Sequence, residues 1–217
     1  MKTIFIDFGN VIGFFDHSRA IRRLVGFTDM DAATLDRAVY GGQAMDDYES
    51  GLIGSDEFYH VSRTVGRLNC SRDEFYDCFA DIFTRNDEVC EVIPSLATRF
   101  RLVLASNTSD AHYRKYCGDY ADVLTHFSGR VASHEALARK PDARFYRRCG
   151  ELAEALPHEC VFIDDLTKNI VAAEAFGFRG LLYRPGDGLR EKLAALGILP
   201  IPGSDKLRVT TFPRENG

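Results

Sequence analysis

The chain has 217 residues, 45% of them hydrophobic and 27% charged, with a net charge of −5. That length holds one α/β domain with a sizeable insertion, or two small domains, and the balance excludes a disordered chain. The negative charge leaves no electrostatic footprint for nucleic acid or an anionic membrane, and no apolar run approaches the length of a span.

The first apolar run, Thr3–Phe8, predicts a buried strand that carries Asp7 near its end and turns through Gly9 and Asn10. Asp7 also breaks the run too early for a secretory leader. Six cysteines are scattered without a CxxC pair or a Cys/His spacing suited to zinc. Together these features predict buried free thiols in a cytoplasmic protein.

From about Phe15 to Cys90 the composition is helical, with no convincing strand and with glycine breaks at "YGGQ" and "ESGLIGSDE". This predicts a helical insertion over residues 15–90, covering the end of the first strand. Ser55, ahead of Glu57 and Phe58, predicts a helix start capped by its hydroxyl. Buried strands follow at Leu102–Ser106, Cys160–Asp164 and Gly180–Tyr183, with a weaker one at Arg130–Ser133. Helical patterns lie between them, at Asp142–Leu156 and Asn169–Phe176. The alternation predicts an α/β fold, a parallel sheet with helices on both faces, formed by residues 1–14 and 91–198. The tail, residues 199–217, reads as a loosely attached extension.

In such sheets ligands bind outside the carboxyl ends of the strands, and three of these ends are polar. Asp7 is a carboxylate that can act as a nucleophile where turn amides receive the transferred group, although Asp-x-Gly-Asn is also ordinary turn chemistry. Asp164 and Asp165 are adjacent acids that repel unless a cation or hydrogen bonds offset them, and a hard cation such as Mg²⁺ suits them. They could equally cap the following helix. Ser106, Asn107 and Thr108 lie between a strand and a helix start, where hydroxyls and free amides hold phosphoryl oxygens, while Thr108 or Ser109 also fits an N-cap. Lys140, before Pro141, stands where the chain cannot yet be helical and can neutralise an anion as a point charge. Its neighbour Arg139 reads as a surface charge.

"DFGNVI", "SNT", "KP" and "DDLTKN", in this order, resemble the four motifs of the haloacid dehalogenase-like hydrolase superfamily. The resemblance spans about Thr3 to Tyr183. It implies a Rossmann-like core with a mobile cap inserted after the first motif. "DFGNV", "YESGLIGSDEFY" and "ARKPDARFY" are similar to one branch, which contains bacterial sugar-phosphate phosphatases and the phosphatase-like domain of soluble epoxide hydrolases. The resemblance implies a phosphatase working through an aspartyl-phosphate on Asp7, with Mg²⁺ held by Asp7, the Gly9 carbonyl, Asp165 and Asp164, directly or through water. Ser106 and the Asn107 amide would bind the phosphoryl oxygens, Lys140 would offset charge, and Asn169 would orient the acidic pair. The partner would be a small phosphorylated substrate, with a sugar phosphate as the expected kind. Phe14, Phe15, His17, Tyr48 and Glu49 are its candidate contacts in the insertion.

Gly9 departs from the pattern. Phosphatases of the superfamily usually carry a second Asp there as general acid and base, a role worth about 10²–10⁴-fold. Asp16, His17 or Glu49 could stand in, the substrate could bring a good leaving group, or catalysis could be lost. Two alternatives therefore stand beside the phosphatase. One is a 2-haloacid dehalogenase, disfavoured by two unneutralised carboxylates beside an anionic substrate. The other is a non-catalytic ligand-binding protein of the same fold. A phosphosugar mutase ranks lower still, because it relies on the acid/base that Gly9 removes.

Overall fold

A computed structural model describes residues 1–199, so the predicted 199–217 extension lies outside the described residues except for Leu199. In chain order the elements are β1 (Thr3–Ile6), β2 (Gly13–Phe15), α1 (His17–Leu24), α2 (Ala32–Tyr40), α3 (Gln43–Glu49), α4 (Ser55–Val65) and α5 (Arg72–Phe79). Then come β3 (Phe83–Arg85), α6 (Asp87–Ala97), β4 (Arg101–Ser106), α7 (Asp110–Asp119), α8 (Ala121–Leu124), β5 (Gly129–Ala132) and α9 (Ser133–Ala136). The last are α10 (Ala143–Leu152), β6 (Cys160–Asp164), α11 (Thr167–Phe176), β7 (Arg179–Leu182) and α12 (Leu189–Ala195).

Five strands form one parallel sheet in the order β5-β4-β1-β6-β7. Strand alternation sends successive side chains to opposite faces. Ile4 and Ile6 join one apolar layer with Leu102, Leu104, Val161 and Ile163, while Phe5 joins the other with Val103, Ala105 and Phe162. The predicted parallel sheet is therefore present, with boundaries moved by a residue or two. β1 stops at Ile6 because the Phe8 carbonyl collects the amides of Val11, Ile12 and Gly13 and turns the chain. The helix predicted over Asp142–Leu156 runs only from Ala143 to Leu152, and just beyond its end Glu154 adopts a positive φ of 50°.

Helices α1–α5 bury a separate apolar cluster around Leu24, Leu35, Phe58, Phe75 and Phe79. The expectation of no strand between Phe15 and Cys90 is corrected here. β3 pairs antiparallel with β2, Phe15 opposite Phe83 and Gly13 opposite Arg85, so both crossings between sheet and helical lobe run through one short ribbon. α6 belongs to the sheet side, where Val89, Val92 and Ile93 join the first layer. Ser55 is also corrected: Gly54 precedes α4 without a side-chain cap, and the Ser55 hydroxyl instead donates to Asp110 at 2.8 Å. No helix among the described residues is long and apolar enough to cross a membrane. All six cysteines are free, and five of them are buried.

Candidate active site

The ends of β1, β4 and β6 converge on one group of charges. Asp7 follows β1 directly, and its amide continues the ladder by donating to the Ile163 carbonyl. Its Oδ1 accepts from the Phe8 amide at 2.7 Å, and its Oδ2 lies 2.9 Å from Lys140 Nζ. Lys140 Nζ also donates to Asp164 Oδ2 at 2.7 Å and to the Ala105 carbonyl at 2.9 Å. The ammonium is thus fixed among three acceptors and is only 1% exposed.

Each of these positions is held from behind. Asp164 Oδ1 accepts from the Leu166 amide and from Asn169 Nδ2, both at 2.9 Å. Asn169 is buried one turn into α11, not exposed on its surface. The Asn107 side chain donates to the Lys140 carbonyl at 3.0 Å and accepts from the Lys140 amide at 2.8 Å, clamping that peptide from both sides. Ser106 is buried at the end of β4, and both Ser106 and Asn107 line the cleft. Ser109, not Thr108, caps α7 by accepting from the His112 amide.

Asp7, Asp164 and Asp165 each present a carboxylate oxygen, and these atoms lie within 4.8 Å of one another. Three carboxylates against one ammonium leave surplus negative charge. Burial first, and then the neighbouring Asp164 and Asp165, push the Asp7 carboxyl up to about 8 against the pull of Lys140. The same surplus outweighs burial at Lys140 and holds its ammonium charged well above the usual lysine range. Burial also raises the Asp165 carboxyl. A cluster of hard oxygen donors carrying uncompensated charge fits a divalent cation of the Mg²⁺ type. Asp7 and Asp165 line the cleft, while both Asp164 oxygens already accept, Oδ2 from Lys140 and Oδ1 from the Leu166 amide and Asn169.

Sequence reasoning missed Asn10. It takes a left-handed conformation, φ 53°, which asparagine tolerates, and donates from Nδ2 to Asp165 Oδ2 at 3.1 Å. The signal was present in "DFGN", where it reads as turn chemistry only. The reading of Arg139 as a surface charge is corrected: its guanidinium reaches from the sheet side to pair with Glu49 and Asp46 of α3, and it lines the cleft. Of the three stand-ins for an acid at Gly9, Asp16 caps α1 by accepting from the Ser18 amide and hydroxyl, which lowers its carboxyl. That is the wrong direction for a general acid. His17 lies flat on the Tyr40 ring, 3.8 Å between centroids, and burial lowers its imidazole. Glu49 is raised by burial while its carboxylate is occupied by Arg139. Both His17 and Glu49 line the cleft, as does Phe15; Tyr48 is buried and bonds instead to Ser55 and the Ala111 amide.

The cleft has a volume of about 720 Å³, within the usual range for small-molecule sites. Asp7, Ser106, Lys140 and Asp165 are on its lining, and side chains of the helical lobe form the opposite wall.

Comparison with known proteins agrees with this architecture. The chain is 27% identical over 152 residues to flavin mononucleotide hydrolase 1 of Arabidopsis thaliana, covering 70% of this chain and 61% of that relative, so the match spans less than two thirds of its length. It is 23% identical over 209 residues to D-ribitol-5-phosphate phosphatase of Bacteroides thetaiotaomicron, covering 90% and 98% of the two chains. In fold it is similar to a HAD family enzyme of the same bacterium solved with magnesium and inorganic phosphate, with a TM-score of 0.75, 22% identity and coverage of 86% and 96%. The family model described as haloacid dehalogenase-like hydrolase matches residues 1–177. With its parallel sheet and its strand-end acids, the chain belongs to the haloacid dehalogenase-like hydrolase family.

Proposed function

We propose that the protein is a Mg²⁺-dependent phosphatase that hydrolyses a small phosphorylated metabolite through an aspartyl-phosphate on Asp7. The observation that carries this reading is the three-carboxylate cluster beside one buried lysine, with Asp7, Lys140 and Asp165 on the lining of the cleft. The two relatives, a phosphatase and a flavin mononucleotide hydrolase by name, support the same chemistry, as does the magnesium and phosphate complex of the similar structure.

Bound Mg²⁺ would supply charge for the phosphoryl oxygens and favour the ionised form of Asp7. The chain's own residues do the rest. Asp7 supplies the nucleophilic oxygen. Lys140, pinned by Asp164 and the Asn107 clamp, offsets charge on the phosphoryl group as it passes to Asp7. Ser106 and the Asn107 amide hold phosphoryl oxygens, and Asn169 keeps Asp164 turned toward Lys140. Helices α1–α5, within the predicted 15–90 insertion, act as the cap, carried on the β2–β3 ribbon, and enclose the cleft to exclude water from the reacting centre. A 2-haloacid dehalogenase is disfavoured because that chemistry needs no metal and would leave the acids unneutralised beside an anionic substrate, and the non-catalytic alternative is disfavoured by the pairing of Asp7 and Asp164 with Lys140.

Phosphate release from a panel of phosphate esters, measured with Mg²⁺ and with EDTA, tests the reading. Turnover that needs the metal and disappears in Asp7→Asn supports it. Turnover unaffected by EDTA or by Asp7→Asn refutes it.

A further inference from the structure

The glycine two residues after the nucleophile is not forced by the backbone. Gly9 is not among the residues with positive φ, and a Cβ built on it would meet only the Phe15 ring, at 3.5 Å, an ordinary van der Waals contact. An acid would therefore fit at this position. In its place the exposed ring of Phe15, carried on β2, lies against Gly9 at the edge of the cleft.

Other apolar side chains of the cleft are exposed as well. Four of the large apolar side chains that remain exposed line it: Phe15, Leu52, Leu137 and Leu166. They come from four separate segments: β2, the α3–α4 turn, the residue after α9 and the β6–α11 turn. Exposed apolar surface thus lies on the same lining as Asp7, Lys140 and Asp165, together with the polar side chains of Arg144 and Lys168, and offers a seat for an apolar ligand body. The remaining cleft acids and His17 are engaged elsewhere, Glu49 and Asp46 by Arg139, Asp142 by Arg144 and the His17 ring by Tyr40.

We propose that the leaving group of the substrate is an apolar, conjugated one whose leaving oxygen is itself acidic, an aryl or enol phosphate, seated against Phe15. This rests on the phosphatase reading above and replaces the sugar phosphate expected from the resemblance. In the first step an Asp7 oxygen bonds to phosphorus as the bond from phosphorus to the leaving oxygen breaks. The leaving group departs with the electron pair as a phenolate or enolate and takes its proton from solvent, so no protein acid is needed. In the second step water attacks phosphorus, the bond to Asp7 breaks, the water proton passes to solvent, and inorganic phosphate and the Asp7 carboxylate are restored.

The test is kcat/KM, which reports the steps through departure of the leaving group. A series of substituted phenyl phosphates and simple alkyl phosphates is measured with Mg²⁺ on the wild type, Gly9→Asp and Phe15→Ala. In the wild type kcat/KM falls steeply as the leaving oxygen becomes less acidic, by more than about 10²-fold across the series, the scale of a missing general acid. Gly9→Asp flattens the series by raising the poorest leaving groups most, and Phe15→Ala narrows the preference for aryl over alkyl phosphates. A shallow wild-type series, with turnover that still requires Mg²⁺ and Asp7, overturns this proposal and leaves the phosphatase reading standing. Gly9→Asp raising every member equally overturns it too. Absence of turnover on every ester overturns both.

Discussion

At the scale of single residues, the site is a charge balance set by burial. Lys140 is shared between Asp7 and Asp164, and removing Asp164 strands the buried donors it accepts from: Lys140 Nζ, the Leu166 amide and Asn169 Nδ2. Asp164→Ala is accordingly expected to lower stability by about 3 kcal/mol or more, read as a drop in the denaturant midpoint. A variant as stable as the wild type would mean that Lys140 does not depend on Asp164. Asn10 offers a gentler probe, because it touches Asp165 through one hydrogen bond. Removing a group that orients a metal-binding carboxylate typically costs about 10–100-fold in affinity, so Asn10→Ala is expected to weaken Mg²⁺ binding by that factor in calorimetric titration. Unchanged affinity would remove Asn10 from the metal site.

At the scale of elements, the helical lobe is seated on the sheet by few, specific contacts. The Ser133 hydroxyl donates to the Glu49 carbonyl, the Tyr48 hydroxyl accepts from the Ala111 amide, and Arg139 pairs with α3. Gly51, between α3 and α4, has φ of 70°, and a Cβ there would come within 2.0 Å of the His134 carbonyl oxygen. Gly51→Ala therefore forces this turn away from α9, and it should cost about 1 kcal/mol or more and raise KM, read in melts and steady-state kinetics. A variant with wild-type KM would show that this contact does not shape the cleft. The elements differ in how far the sequence reveals them. β1, β4 and β6 were legible because fully buried parallel strands read as continuous apolar runs. The three-residue β2 and β3 were not, since their half-exposed "GFF" and "FTR" carry too few residues for a period to show. Asp7, Ser106 and Asp164 were legible from their strand-end positions, and Lys140 from its place before Pro141. The Arg139–Glu49 pair was not, because it joins residues ninety positions apart that only the folded chain brings together.

At the scale of the whole molecule, the stacked aromatics between lobe and sheet also set an acid limit. His112 is buried, its ring stacked on Phe79, with Nε2 bonded to the Phe79 carbonyl and Nδ1 to the Ser109 hydroxyl. Burial, joined by the nearby His17, pushes its imidazole down to about 3, while the Phe79 carbonyl pulls the other way. The folded state therefore binds fewer protons than the unfolded one between that value and the ordinary histidine range near 6.5. The neutral-His contribution is complete above that range and is lost as pH falls toward 3, at up to about 1.4 kcal/mol per pH unit. Melts at successive pH values should show this loss, and His112→Phe, which keeps the stacking, should flatten the slope. An unchanged slope in that variant would assign the acid sensitivity to other groups.

The central claim is that Asp7 carries the phosphoryl group, and it can be read directly. A reaction quenched during turnover and treated with borohydride reduces an acyl phosphate to the corresponding alcohol, leaving homoserine in place of the phosphorylated aspartate. Mass spectrometry of the peptide containing Asp7 is predicted to show homoserine at position 7 only when both Mg²⁺ and a hydrolysed ester are present. Sustained phosphate release with Asp7 unmodified, or with the modification on another carboxylate, would contradict the account.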